Sequence, residues 1–192
     1  MGREYELKYR ADQAALAALR EEFADLKTIR METTYYDTLA GDLGKLRWTL
    51  RRRFENGVSV CTVKTPSHDG GRGEWELLCD DITQAVSRLV AMGAPEELTR
   101  FAQDGLVETC AARFTREAVE VVLPGAEAEL ALDEGAFLGG GATEPFAEVE
   151  VEHKSGSEAL VAAWAAALAE RYGLEPETRS KAQRARALAG RD

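Results

Sequence analysis

Six segments of the chain alternate strictly between charged and apolar residues, and this alternation limits the possible folds more than any other feature. In an extended strand successive side chains point to opposite faces, so residues two apart share a face. The first segment places its charged residues in one row and its apolar residues in the other: Glu4, Glu6 and Lys8 against Tyr5, Leu7 and Tyr9. The pattern predicts strands with one charged face and one apolar face.

The charged rows keep to one sign over short stretches, which is unusual for a face turned toward water. Glu-x-Glu recurs along the chain, and Arg-x-Arg occurs at Arg51 and Arg53. The simpler interpretation is a half-exposed antiparallel sheet whose charged side is solvated. Solvated faces, however, normally include Thr, Ser and Gln and mix both signs. Because the apolar rows can pack beneath amphipathic helices, we expect the charged rows to point inward.

Turn and cap signals complete the predicted architecture. Asn56-Gly57 predicts a hairpin, and Ser157 predicts the start of a helix over residues 158–172 that ends at Gly173. The glycines at 139–141 suggest a flexible connection, and the basic tail 178–189 suggests a helix. About eight antiparallel strands with four or five helices and no βαβ alternation predict an α+β fold, a barrel or strongly curved sheet with helices outside. We expect one domain over residues 1–192.

An inward ring of charge needs compensation. The candidate carboxylates are Glu4, Glu6, Glu74, Glu76, Glu129, Asp133, Glu148 and Glu150, and the candidate strand-borne bases are Lys8, Arg51, Arg53, Lys64, Arg72 and Arg116. Clustered carboxylates destabilise a fold unless cations offset them, so those left unpaired favour Mg²⁺ or Mn²⁺. Bases left unpaired suit a small ligand with several negative charges, above all phosphate. This combination predicts phosphoryl transfer to water.

Composition excludes several other classes of protein. The 192 residues contain 24 Lys plus Arg and 34 Asp plus Glu, a net charge of −10, which argues against coating nucleic acid or an anionic membrane. The 3 cysteines are widely spaced and the 2 histidines cannot form a His-rich zinc site. No apolar run has the length of a membrane span, and the first residues lack the apolar stretch of a signal peptide. We therefore expect a cytoplasmic protein, monomeric or homodimeric.

Eight ordered motifs resemble those of the CYTH superfamily, the triphosphate tunnel metalloenzymes. Glu4-x-Glu6-x-Lys8 is similar to the family's ExExK signature, and Tyr35-Tyr36-Asp37-Thr38 to its YYDT segment. The remaining segments that resemble family motifs are Leu50-Arg51-Arg52-Arg53, Thr62-Val63-Lys64, Arg72-Gly73-Glu74-Trp75-Glu76, Glu129-Leu130-Ala131-Leu132-Asp133, residues 148–156 and Ser180-Lys181-Ala182-Gln183-Arg184. The resemblance runs through nearly the whole chain and implies an eight-stranded antiparallel tunnel that hydrolyses or cyclises triphosphates with Mg²⁺ or Mn²⁺.

The resemblance also implies roles for individual residues. Metal would be held by Glu4, Glu6, Asp133, Glu148 and Glu150, with two ions expected, and phosphates by Lys8, Arg51, Arg53, Lys64, Arg72, Arg116 and Lys181. Within these sets we assign the catalytic step to Glu6, Lys8, Arg51 and Arg53, and a supporting role to Glu74, Glu76 and Glu129. The family often has a further base two residues before Arg116, where this sequence has Phe114. Arg113 has the opposite strand parity and cannot simply replace that base.

The leading hypothesis is a metal-dependent triphosphatase acting on inorganic triphosphate. Thiamine triphosphatase and class IV adenylate cyclase remain alternatives on the same fold, because the sequence identifies no base pocket. A polyphosphate-binding module without catalysis is an alternative of another class. The complete set of carboxylates argues against this binding module, because binding a polyanion alone would not require so many acidic residues.

Overall fold

The computed structural model describes residues 5–66 and 72–190, apart from the side chain of Arg72. Its strands are Glu6–Arg10 (β1), Lys27–Thr38 (β2), Thr49–Glu55 (β3), Val58–Pro66 (β4), Arg72–Leu78 (β5), Leu106–Leu123 (β6), Ala126–Gly139 (β7), Ala142–Gly156 (β8) and Glu175–Pro176 (β9). Its helices are Gln13–Glu22 (α1), Asp42–Lys45 (α2), Ile82–Ala91 (α3), Glu97–Gln103 (α4), Glu158–Tyr172 (α5) and Lys181–Leu188 (α6). Within this part of the chain, none of the helices combines the length and apolar character needed to cross a membrane.

All nine described strands belong to one antiparallel sheet, in the order β5-β4-β3-β2-β6-β7-β8-β1-β9. Side chains from each of β1 to β8 line a common cavity, so the sheet curves around it. The predicted α+β fold with an eight-stranded antiparallel wall is confirmed. The two-residue β9 pairs with β1 and is additional to the prediction.

The apolar face of the sheet is covered by helices in two separate cores. One core joins α1 and α5 to β7 and β8 and includes Leu16, Leu132 and Val149, which are fully buried. The other joins α3 and α4 to β3 and β4 and includes Leu50 and Leu89. Because alternate residues face opposite sides, these two cores leave the charged rows on the concave side.

Helix α6 departs from the expectation that the helices pack outside. It lies against the concave face, where Ala182 and Ala185 join an inner apolar cluster with Phe114, Phe137 and Phe146. The close approach depends on small residues at the contact. A Cβ at Gly139 would lie 2.9 Å from the Cβ of Ala189, so glycine is needed there.

Turn chemistry explains the β3–β4 and β7–β8 hairpins. Asn56 and Gly57 have φ angles of 45° and 95°, which fit the two-residue turn predicted between β3 and β4. Gly140 and Gly141 have φ angles of 58° and 81° and join β7 directly to β8. The connection expected at 139–141 is a two-residue turn at Gly140 and Gly141, and Gly139 belongs to β7.

Candidate functional site

The concave face of the sheet and α6 enclose a cavity of about 690 Å³. Of the residues proposed from the sequence, those lining the cavity are Glu6, Lys8, Arg51, Arg53, Lys64, Glu74, Glu76, Arg116, Glu129, Glu150 and Lys181. Asp133 and Glu148 are buried in the cavity wall, in contact with Lys181. Strand parity therefore brings together side chains that lie far apart in the sequence.

Two predicted site residues fall outside the described structure. Glu4 precedes the described residues, and the side chain of Arg72 is not described although its backbone begins β5. Asp37, from the YYDT segment, is buried and accepts hydrogen bonds from the backbone N–H groups of Thr38, Leu43 and Gly44. Its role in the YYDT segment is to shape the turn after β2.

Charges of both signs are balanced within the cavity lining. Among the described residues that line it, seven are acidic and seven are basic. The acidic residues are Glu6, Glu55, Glu74, Glu76, Glu129, Glu150 and Glu152; the basic residues are Lys8, Arg51, Arg53, Lys64, Arg116, Lys154 and Lys181. The chain as a whole carries −10, so its acid excess does not describe the cavity.

One wall of the cavity is basic and is built by the neighbouring strands β3 and β4. Arg51 and Arg53 share a face of β3, and Lys64 follows on β4 with its ammonium 3.1 Å from Glu74. Arg53 donates to Thr33 Oγ1 at 3.3 Å and lies 3.3 Å from Glu55. These contacts hold three cations side by side at the cavity surface.

Arg51 is the least satisfied cation of this basic wall. Its Nε is shielded from solvent and has no hydrogen-bond partner among the described residues. Burial, reinforced by the charge of Arg53, lowers the pKa of Arg51 to about 10. The guanidinium remains charged at neutral pH, so an anion in the cavity would gain a desolvated donor that the protein itself leaves unused.

The opposite wall is acidic and converges on three buried carboxylates, Asp133 on β7 and Glu148 and Glu150 on β8. These three residues can each offer an oxygen such that the three oxygens lie within 4.8 Å of one another. The pairing of Asp133 with Glu148 across the two strands explains the clustering. Carboxylate oxygens at this spacing are the ligands that Mg²⁺ and Mn²⁺ prefer, so the donor set fits such an ion.

Arg116 and Lys181 bind the carboxylate triad formed by Asp133, Glu148 and Glu150. Arg116 donates to both oxygens of Asp133, at 2.8 and 2.6 Å, and also contacts Glu150. Lys181 reaches Asp133 at 2.7 Å and Glu150 at 2.6 Å, and contacts Glu148. Two of the cations proposed for phosphate therefore bind carboxylates in this structure.

The carboxylates of Glu148 and Glu150 respond differently to this environment. Burial raises the pKa of Glu148, although Lys181 acts against the rise. Burial alone would also raise the pKa of Glu150, but the charges of Lys181 and Arg116 outweigh it and hold that pKa well below the ordinary range. Glu150 is therefore ionised at neutral pH, as a metal ligand must be.

Glu6 and Lys8 join the acidic wall from β1. Lys8 is paired in register with Glu150, and Glu6 with Glu152. The ammonium of Lys8 lies 3.6 Å from Glu6, whose charge also contributes to raising the pKa of Arg116. The N-terminal strand thus carries a carboxylate and an ammonium to the edge of the carboxylate triad.

The three carboxylates predicted to have a supporting role, Glu74, Glu76 and Glu129, each have a described partner. Glu74 pairs with Lys64, Glu76 accepts from Thr62 Oγ1 at 3.2 Å, and Glu129 lies 3.7 Å from Lys154. Each lies close to a basic or hydroxyl group and apart from the carboxylate triad.

Phe114 occupies the position where a further base was expected from the resemblance. Its ring is buried and lies 5.2 Å from the ammonium of Lys181, and the ring of Phe146 lies 5.7 Å away. A cation facing aromatic rings at this distance is stabilised. Arg113, as its parity predicts, points elsewhere and donates to the Thr33 carbonyl at 2.6 Å.

Several residues at the site were assigned no role from the sequence. Glu55, Glu152 and Lys154 line the cavity. Each lies on the same strand face as a predicted site residue of its own strand, because residues an even number of positions apart share a face. Arg184 contacts Glu148 at 2.7 Å and lies one helical turn after Lys181, a spacing that could have indicated it. Glu177 precedes α6 and lies 3.9 Å from Arg184, and no local pattern marks it.

A curved antiparallel sheet thus surrounds a cavity that has one basic wall and a buried carboxylate triad. The chain matches the CYTH domain family over residues 2–185, and it belongs to that family. The family assignment agrees with the resemblance seen in the sequence.

Solved structures with the same fold support the architecture. HpAC1 from Hippeastrum, an adenylyl cyclase candidate described as having a dominant triphosphatase activity, is 23% identical with a TM-score of 0.68, covering 97% of this chain and 96% of its own. Protein PH1819 from Pyrococcus horikoshii is 23% identical with a TM-score of 0.62, covering 92% and 94%. A Bacillus halodurans protein is 20% identical with a TM-score of 0.64, covering 96% and 98%. At these identities the likeness establishes the fold.

Proposed function

We propose that this protein is a metal-dependent triphosphatase that hydrolyses inorganic triphosphate to pyrophosphate and phosphate. The observation that carries the proposal is the basic wall of Arg51, Arg53 and Lys64 in one cavity with Asp133, Glu148 and Glu150, whose oxygens converge within 4.8 Å. Membership of the CYTH family and the triphosphatase activity of the similar HpAC1 support it. A wall of cations that binds phosphate and a wall of carboxylates that binds metal are the two parts that phosphoryl transfer requires.

The basic wall would bind and orient the phosphate chain. Arg51 offers its unpartnered Nε, and Arg53 and Lys64 can exchange their present contacts for phosphate oxygens. Lys8 would approach from β1 on the opposite side. Because the donors sit in a partly desolvated cavity, they would stabilise the charge that develops on the phosphate oxygens in the transition state.

The acidic wall would hold the divalent ions. Glu6, Asp133, Glu148 and Glu150 are the carboxylates of the described structure that we assign to this task, together with Glu4 from the sequence. When bound, such ions neutralise phosphate charge and lower the pKa of a water molecule. The protein's part is to orient the carboxylates, which Arg116 does for Asp133 through a two-point contact.

The lining of the cavity favours an inorganic substrate over a nucleotide. Fourteen of the 22 lining residues carry a charge, and only Tyr5 and Tyr35 among the described lining residues are aromatic. Tyr35 lies among Arg51 and Arg53, in the region assigned to phosphate. A polyphosphate chain uses charge along its whole length, whereas a base or thiazole ring requires an apolar platform.

The test is a phosphate-release screen with inorganic triphosphate, thiamine triphosphate and ATP, each with Mg²⁺ and with Mn²⁺, and with the ATP reaction checked for cyclic AMP. We expect metal-dependent release from inorganic triphosphate to dominate. Preference for thiamine triphosphate, or cyclic AMP as the main product, would assign the alternative activity. Tight binding of polyphosphate with no product from any triphosphate would favour a binding module.

The Glu6→Gln variant tests the mechanism. The substitution removes a proposed metal ligand while keeping the size of the side chain, so turnover should fall by at least about 100-fold with an unchanged melting temperature. Glu21→Gln, an exposed position on α1, is the matched control and should retain turnover. Full phosphate release by Glu6→Gln in the presence of Mg²⁺ or Mn²⁺ would contradict the mechanism.

A further inference from the structure

The ammonium of Lys181 lies where the carboxylate triad converges. Its Nζ is 2.7 Å from Asp133 Oδ2 and 2.6 Å from Glu150 Oε1, and it also contacts Glu148 Oε1. All four side chains are buried. One cation therefore bridges all three carboxylates that are grouped as possible metal ligands.

An ion and this ammonium cannot share the three oxygens that Lys181 contacts, and the other oxygen of each carboxylate is already contacted by Arg116 or Arg184. Mg²⁺ binds oxygen at about 2.0–2.1 Å, so an ion held by the same oxygens would occupy the space of Nζ. The two cations would also repel each other strongly at that separation, because little water is present to screen them. Binding of a metal by the triad therefore requires Lys181 to move.

The rest of α6 can remain in place when the Lys181 side chain leaves. Ser180 and Gln183 form a reciprocal cap at the start of the helix, and Arg186 donates to the Trp48 carbonyl at 2.8 Å. Arg184 contacts Glu148 independently of Lys181. Lys181 lines the cavity, so a rotation of its flexible stem carries the ammonium into the space assigned to phosphate.

We infer that Lys181 is an internal competitor of the metal: it occupies the carboxylate triad until an ion displaces it, and the displaced ammonium then binds the phosphate. The inference rests on the proposed function, because it takes the triad as a metal site. It adds that metal and triphosphate bind cooperatively through one side chain. A metal bound alone leaves Lys181 without an anion, and the triphosphate supplies one. By linkage, each ligand then raises the affinity for the other by the same factor.

The test measures Mn²⁺ binding to the full chain by calorimetry, with and without a non-hydrolysable triphosphate analogue. Lys181→Gln should bind Mn²⁺ about tenfold or more tightly than the wild type when no phosphate is present, because the competing charge is gone. The analogue should strengthen Mn²⁺ binding in the wild type and do so much less in Lys181→Gln. Asp133→Asn in the Lys181→Gln background should remove the gain, which locates it at the triad.

Lys154→Gln is the matched control for removing positive charge from the cavity. Lys154 lies 2.9 Å from Glu152 and 3.7 Å from Glu129, outside the triad. Its loss therefore changes the electrostatic potential of the cavity without removing a contact to the triad. An equal gain in Mn²⁺ affinity in Lys154→Gln and Lys181→Gln would overturn the inference while leaving the proposed function intact. Absence of Mn²⁺ binding in the wild type, with and without the analogue, would overturn the proposed function and the inference together.

A second measurement uses only the wild type and covers the case in which Lys181→Gln does not fold. A buried ammonium held by three carboxylates exchanges its protons slowly and should give an observable ¹⁵N-ammonium resonance in the metal-free protein. Addition of Mg²⁺ alone should shift or remove this resonance. Its persistence unchanged at saturating Mg²⁺ would show that the ion binds without displacing Lys181, which contradicts the inference.

Discussion

At the scale of single residues, Arg51 shows how a site can be built at the expense of stability. Its Nε lies in the protein without solvent or a described hydrogen-bond partner, and burial lowers the pKa of its guanidinium to about 10. A buried polar atom left unpaired destabilises the folded state. A protein can keep such an unpaired donor when a ligand is its partner, and a bound phosphate would be that partner for Arg51.

Arg51→Met should therefore separate stability from activity. The substitution keeps most of the side-chain volume and removes the desolvated charge, so we expect an equal or higher melting temperature. Turnover of inorganic triphosphate should fall by about 100-fold or more because a phosphate donor is lost. Thermal unfolding and phosphate release measured on the same preparation test both parts.

Arg52→Met is the control for Arg51→Met. Arg52 is the next residue on β3, points to the other face and donates to the Asp80 carbonyl at 3.0 Å. It should retain turnover. A large drop in the melting temperature of Arg51→Met combined with normal turnover would show that Arg51 serves the fold and not the substrate.

At the scale of elements, α6 is anchored to the concave face by a short acidic segment before it. Glu177 accepts from Arg179 Nη2 at 2.9 Å and Nε at 3.1 Å, and lies 3.9 Å from Arg184. Mainly through the hydrogen bond from the Arg179 side chain, the pKa of Glu177 is lowered from 4.5 to about 2. Because Arg184 also contacts Glu148, this segment connects the start of α6 to the carboxylate triad.

Glu177→Gln should lower stability in a pH-dependent way. The folded-state pKa of Glu177 lies below its ordinary value, so the ionised form is stabilised by folding. This contribution is fully present above about pH 4.5 and is lost as the pH falls toward about 2. In urea unfolding at pH 7 we expect the variant to be less stable by about 1–3 kcal/mol, with the difference narrowing below pH 4.5.

Glu175→Gln provides the comparison for Glu177→Gln. Glu175 lies two residues earlier and pairs with Arg10, but both side chains are more than half exposed. Exposed ion pairs contribute little, so its substitution should change the unfolding midpoint only slightly. A stability difference for Glu177→Gln that stays constant between pH 7 and pH 3 would contradict the role assigned to its charge.

At the scale of the whole molecule, the two faces of the sheet have separate tasks. The outer face is apolar and packs against α1, α3, α4 and α5 in two cores. The inner face carries the charges and encloses the cavity. Burial of apolar area on the outside can thus offset the cost of grouping charges inside.

Leu16→Ala tests this division from the outer side. Leu16 lies on α1, is fully buried in an outer core and is not part of the cavity lining. Its truncation should reduce the free energy of unfolding by about 2–5 kcal/mol through lost burial and a residual void. Turnover per folded molecule should be unchanged when assayed well below the melting temperature. A fall in turnover as large as that of Arg51→Met would show that the two faces are not independent.

The sequence by itself determined the curved antiparallel sheet and most of its inward residues. Alternation of charged and apolar residues assigns each side chain to a face, and Arg51, Lys64 and Glu150 all line the cavity as that rule predicts. Asn56-Gly57 and Ser157 marked a turn and a helix start for equally local reasons. Strand parity and turn chemistry depend on neighbouring residues and can be inferred without the rest of the chain.

Only the tertiary structure decided which charges meet. Helix α6 lies inside the sheet because Gly139 and the alanines of the helix permit close approach, and this contact joins segments far apart in the sequence. The same contact brings Lys181 to Asp133, Glu148 and Glu150, and Arg184 to Glu148. Parity assigns a residue to a face but does not choose its partner across the cavity. The partner depends on long-range packing, and that packing placed a lysine where the ions were expected.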